Sequence, residues 1–148
     1  MLDDLQRNGL WTGDFPFLKW ASRRYCMPHW QTYSSEDIQK MGQANRKIPL
    51  TDSSERLCVT CNKISLRFYY HELSRTGRIG SSWHWCADCK RGTHSSGPKL
   101  SAEFVFTDPH ENLSSEQFGQ LEREDWYDHL NGVWEKGALP QRFELKTK

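Results

Sequence analysis

Most of the common functional signals are missing from this chain of 148 residues. No apolar run approaches the roughly 20 residues of a membrane-spanning helix, so the protein is expected to be soluble. The opening MLDDLQRN is acidic and polar where a secretory signal carries basic residues and then an apolar stretch, which makes a reducing cytoplasm the expected compartment. Neither sign of charge dominates, the formal net charge being +1. There is no internal repeat or low-complexity tract. There is also no GxGxxG, P-loop, HExxH or GxSxG, and the HxE and PCxxC pair of the zinc deaminases is absent too. An enzyme is therefore not expected.

What is present is a pair of CxxC motifs, Cys58-Val-Thr-Cys61 and Cys86-Ala-Asp-Cys89, which use four of the five cysteines. Two thiolates three positions apart on a tight turn can occupy adjacent corners of a tetrahedron, and two such turns fill all four. The spacing predicts a closed structural Zn2+ site. Disulfides suit an oxidising compartment, a thioredoxin-type motif needs one CxxC beside a βαβ unit, and iron is the residual alternative because rubredoxin-type sites use the same ligands. Cys26-Met-Pro-His29 has a CxxH spacing but no second knuckle to complete it, so it reads as a buried cysteine beside a surface histidine.

Between the motifs, Ile64, Leu66, Phe68 and Tyr70 alternate with Ser65, Arg67, Tyr69 and His71, the period of a strand with one buried face. Ser82 to Trp85 reads as the returning strand, Arg91 to Pro98 as a polar turn carrying His94, and Leu100 to Phe106 as a third strand. The expected fold is α+β: a zinc ribbon, with a three-stranded antiparallel sheet and two CxxC knuckles, decorated by N-terminal helices and a C-terminal amphipathic helix. It is expected to form a single domain over residues 1–148. Residues 1–55 form an aromatic helical arm, 56–107 the ribbon, and 108–148 an acidic helix and tail. In the arm, Asp14 and Pro16 start one helix, and Ser34 caps another from Ser35 to about Ala44. In the tail, Phe118, Leu121, Trp126, Leu130, Val133 and Trp134 predict one helix from Ser115 to Lys136, bent near Gly119.

Charge is unevenly spread. Residues 56–99 hold eight Lys or Arg against two Asp or Glu, and residues 103–135 hold nine Asp or Glu against one Arg. The basic excess either offsets the negative thiolate centre or forms a nucleic-acid surface, for which Arg67, Arg75, Arg78, Lys90 and Arg91 are the candidates, with Trp83 or Trp85 as stacking platforms. The acidic face of the last helix either solvates that helix or meets a basic partner.

Taken together, Cys58-x-x-Cys61, Phe68-Tyr-Tyr-His71, Trp83-x-Trp-Cys86-x-x-Cys89, Thr93-His94-Ser95 and Trp134-Glu-Lys-Gly-Ala-Leu-Pro140 resemble small bacterial immunity proteins of polymorphic toxin systems. The resemblance covers about residues 58–140. It implies a non-enzymatic cytoplasmic antitoxin that binds a cognate toxin domain and blocks it sterically. It carries over no toxin-contact motif. On charge alone, Glu116, Glu122, Asp125 and Asp128, with Trp126, are the surface suited to the basic cleft of a nuclease toxin, whose phosphates the carboxylates would mimic.

Overall fold

The computed structural model describes residues 30–72, 79–123 and 125–147. The chain divides into two compact units, Met1–Gln31 and Thr32–Lys148, and everything built around the cysteines belongs to the second. Cys26, His29 and the helix expected after Pro16 lie outside the described residues, as do Arg75 and Arg78.

The fold is α+β, with a mostly antiparallel main sheet, a smaller antiparallel pair and three α-helices among the described residues. In chain order the elements are β1 (Gln31–Thr32), α1 (Ser35–Asn45), β2 (Arg56–Cys58), β3 (Lys63–Glu72), β4 (Ile79–Cys86) and β5 (Arg91–Pro98). A 3-10 turn at Leu100–Ala102 follows, then β6 (Phe104–Phe106), α2 (Ser115–Glu122), α3 (Trp126–Glu135) and β7 (Phe143–Leu145). The larger sheet has the order β1-β5-β4-β3-β2, and β6 pairs with β7 in the smaller one.

Helix α1 starts where the capping pattern places it: the Ser34 hydroxyl accepts from the Asp37 amide at 3.1 Å, satisfying one of the amides that a helix start leaves free. The Asp37 carboxylate in turn accepts from Thr60 Oγ1 at 2.6 Å, tying the helix to the first cysteine turn. At the other end Asn45 works as a bridge to the edge strand. Its amide nitrogen donates to the carbonyls of Met41 and Leu57, and its oxygen accepts from the Leu57 amide. Gln141 serves the free edge of β3 in the same way, accepting from the Tyr70 amide and donating to the Tyr70 and Thr107 carbonyls, each at 2.8 Å. Both side chains pair edge groups that burial would otherwise leave unsatisfied.

Three expectations need correction. The third strand of the main sheet is Arg91–Pro98, read from the sequence as a turn, whereas Leu100–Phe106 splits into a 3-10 turn and a strand of the other sheet. The segment RGTHSSGP has no apolar alternation: of its residues only Gly92 is buried, and His94, Ser95, Ser96 and Pro98 are exposed. A Cβ on Gly92 would meet Tyr127 Cζ at 2.4 Å, so the glycine is what lets that ring lie against the strand. Secondly, β3 is covered on both faces: Tyr69 is fully buried and His71 nearly so, while Ile64 at the strand's start is 64% exposed. Arg67, Tyr69 and His71 face α2 and α3, and Leu66, Phe68 and Tyr70 face Met41, Phe106 and Phe143.

The third correction concerns the C-terminal helix, which is two helices. A full capping box, Ser114 with Gln117, starts α2. The chain breaks after Glu122 and restarts at Trp126. The five-residue step from Leu121 to Trp126 would carry the apolar stripe about 140° round a continuous helix. Breaking the helix keeps Phe118 and Trp126 in one cluster, their rings 5.2 Å apart, over Tyr69 and Trp83.

Candidate metal centre

The two CxxC motifs fold into matching turns at one end of the sheet. In the first, the Asn62 amide donates to the Cys58 carbonyl at 2.7 Å; in the second, the Lys90 amide donates to the Cys86 carbonyl at 3.1 Å. The residue after each second cysteine is left-handed, with φ of 63° at Asn62 and 57° at Lys90. That conformation turns the chain sharply back into a strand, at a steric cost that asparagine bears better than lysine. Register brings the turns together: Cys58 ends β2 and Cys86 ends β4, on either side of β3, with Cys86 opposite Leu66.

The four ligand atoms all lie within 4.8 Å of one another. Cys58 Sγ and Cys89 Sγ are 3.7 Å apart, and Cys61 Sγ and Cys86 Sγ are 3.6 Å apart. A tetrahedron with metal–sulfur bonds of about 2.3 Å has edges of about 3.8 Å, which these two distances match, so the four donors could hold a metal ion. No thiol pair is bonded as a disulfide. Cys58 and Cys86 are fully buried against Tyr33, Met41 and Leu66, which keeps water from the inner side of the site.

Hydrogen bonds aim at the sulfurs. Tyr33 Oη lies 2.8 Å from Cys58 Sγ, Ser65 Oγ lies 3.0 Å from Cys86 Sγ, and the Cys89 amide donates to Cys86 Sγ at 3.4 Å. Burial alone would push the Cys58 thiol up, but donors from Tyr33 and from the Cys61 and Thr60 amides outweigh it and bring it down to about 7. Cys61 and Cys89 are pushed up by burial and by hydrogen bonding to neighbouring cysteines. Four crowded sulfurs cannot all ionise alone; a divalent cation is what relieves the repulsion.

A second polar cluster lies between the sheet and the C-terminal helices, and no linear spacing announces it. Asp108 Oδ1 accepts from Tyr69 Oη at 2.6 Å and from the His110 amide at 2.8 Å, while Oδ2 meets His71 Nδ1 at 2.8 Å. Tyr69 Oη also meets His110 Nδ1 at 2.9 Å, and His110 Nε2 meets His129 Nε2 at 2.9 Å. Phe118 stacks on His71 at 4.0 Å, and Trp83 and Trp126 wall the remainder. The only available hint in the sequence was strand periodicity, which puts Tyr69 and His71 on one face; their partner Asp108 is 37 residues beyond His71.

The other sequence-predicted residues disperse. Arg67 is not a phosphate contact: its Nε meets Glu55 Oε2 at 2.9 Å, its Nη1 donates to Asn131 Oδ1 at 2.9 Å, and its guanidinium covers the Trp134 ring. Trp83 and Trp85 are buried and offer no stacking surface; Trp85 Nε1 donates to Asn131 Oδ1 at 2.7 Å. Lys90 and Arg91 lie at the second cysteine turn, and His94 sits on β5, stacked on Trp83. Glu116, Glu122, Asp125 and Asp128 are exposed but span two helices and their break, and Trp126 is buried rather than beside them on the surface. No described helix is long and apolar enough to cross a membrane. Comparison with protein-family models, curated proteins and solved structures returned no match.

Proposed function

We propose that the chain is a zinc-stapled, non-enzymatic immunity protein that acts in the cytoplasm by binding a cognate toxin domain through the acidic surface of α2 and α3. Zinc is the metal that a closed four-thiolate donor set with tight turns serves best, and with it the sheet is a zinc ribbon whose third strand is β5. Such a centre has no open coordination position for a substrate. Its contribution is rigidity, which lowers the ordering cost when the protein binds a partner.

The observation that carries the binding assignment is the unneutralised charge of the helical layer. Glu116, Glu122 and Asp125 are exposed and have no ion-pair partner among the described residues. Arg123, the lone cation of the segment, instead donates to Gln120 Oε1 at 3.1 Å. Free carboxylates on one helix and at the start of the next complement a basic cleft and speed encounter with it. The test is co-expression with the toxin encoded beside it, scored by growth and by binding of the purified pair across a salt series. Protection should fail in Glu122→Lys/Asp125→Lys while folding and metal content persist. Full protection by that variant would exclude this surface.

A further inference from the structure

On the side of the main sheet away from α2 and α3, a groove of about 350 Å³ opens between α1 and the strands. Ile38, Met41, Leu66 and Phe68 form its apolar body, and Arg46 and Arg56 stand on its lining with no acidic residue among them. Arg56 is held by the backbone carbonyls of Pro49, Ser54 and Asp52, and the Asp52 carboxylate, outside the groove lining, offsets part of its charge. Arg46, at the C-cap of α1, makes no hydrogen bond or ion pair among the described residues. The His84 ring packs on Phe68 at 4.8 Å and also lines the groove, with no hydrogen bond among the described residues. Burial, then the charge of Arg56, hold its pKa down to about 4, so at neutral pH it presents one donor and one acceptor.

We propose that this groove binds a small anionic amphiphile, with the anionic head at Arg46 and Arg56 and a short hydrocarbon body over Ile38, Met41, Leu66 and Phe68. The volume sits at the small end of the 300–1,000 Å³ usual for ligand sites, which fits a small molecule rather than a folded partner. Two guanidiniums beside an apolar floor select against neutral and cationic molecules of the same length, because only an anion pairs with Arg46, which has no ion-pair partner among the described residues, and with the part of the Arg56 charge that Asp52 does not offset. Met41 and Leu66 also belong to the cluster packed on Cys58 and Cys86, so an occupant would reinforce the metal end of the sheet.

The test uses the full metal-loaded chain with octanoate, and with octanol and octyltrimethylammonium as probes of equal chain length. Methyl NMR signals of Ile38 and Met41 should shift saturably with octanoate at a Kd of about 1 mM or tighter, about tenfold more weakly with octanol, and not with the cation. Arg46→Gln should weaken octanoate about tenfold and leave octanol unchanged. Gly42 lines the groove with open space beyond its Cα, so Gly42→Phe should fill the site and abolish both shifts at unchanged metal content. The proposal is overturned if octanoate gives no saturable shift. It is equally overturned if the cation binds as well, or if both variants bind octanoate as the wild type does.

Discussion

Replacing Asp108 tests whether the buried polar cluster holds the C-terminal layer to the sheet. The carboxylate takes three donors, Tyr69 Oη, the His110 amide and His71 Nδ1, in a setting where the His71 and Asp108 side chains are only 7% and 8% exposed. Burial would raise its pKa, but the hydrogen bonds from His71, Tyr69 and the His110 amide more than reverse this, so it is ionised at neutral pH. In Asp108→Ala, Tyr69 keeps a partner in His110 Nδ1 and His71 Nδ1 keeps Tyr69 Oη at 3.2 Å, whereas the His110 amide loses its partner. One orphaned buried amide at about 1–3 kcal/mol, together with the loss of the hydrogen bonds that Tyr69 and His71 make to the carboxylate, puts the cost at about 3 kcal/mol. Asp108→Asn retains an oxygen for Tyr69 and the amide and requires His71 only to change tautomer, so about 1–2 kcal/mol is expected. Urea unfolding followed by tryptophan fluorescence reads both, since Trp83 and Trp126 pack on the cluster. A loss below about 1 kcal/mol for Asp108→Ala, or equal losses for both variants, would refute the reasoning.

Three further outcomes follow from the same structure. Burial and then the neighbouring His129 hold the pKa of His110 down to about 4. The unfolded chain therefore binds a proton there below about pH 6.5 that the folded protein refuses, and stability falls as pH drops from 6.5 toward 4. The loss between pH 7 and 5 is about 2 kcal/mol, and unfolding measured across that range in His110→Gln should show a slope smaller by close to one proton. On the proposed zinc assignment, removing the metal should unfold the sheet, because structural zinc in small modules contributes about 10–16 kcal/mol, as much as a whole domain's stability. Tyr33→Phe, which deletes the donor to Cys58, should lower metal affinity about 10–100-fold in competition with a chromophoric chelator. Unchanged affinity would show that the hydroxyl does not tune the site.

The cluster of four cysteines was legible in the linear chain because its information is local. A CxxC turn brings two sulfurs together wherever it folds, and two copies leave little choice about what they surround. The start of α1 was legible for the same reason, since the bond between Ser34 and the Asp37 amide spans one turn. Failures came where a distant segment decided the outcome. RGTHSSGP reads as a turn by composition and becomes a strand because β4 offers it a full antiparallel ladder, while Tyr127 needs the room that Gly92 leaves. Alternation along β3 correctly separated its two faces, but only the packing of Phe118 and Trp126 made the face with Tyr69 and His71 as buried as the other. That packing also broke the last helix, took Trp126 off the surface, and assembled Tyr69, His71, Asp108, His110 and His129 from segments whose separation leaves no periodic trace. The sequence by itself thus determined the cysteine cluster, the Ser34 cap and the strand period, all set by contacts within a turn or along one strand. Tertiary structure alone decided which faces were covered, which arginines were spent in ion pairs and which remained open, because burial belongs to the pair of surfaces that meet and not to either segment.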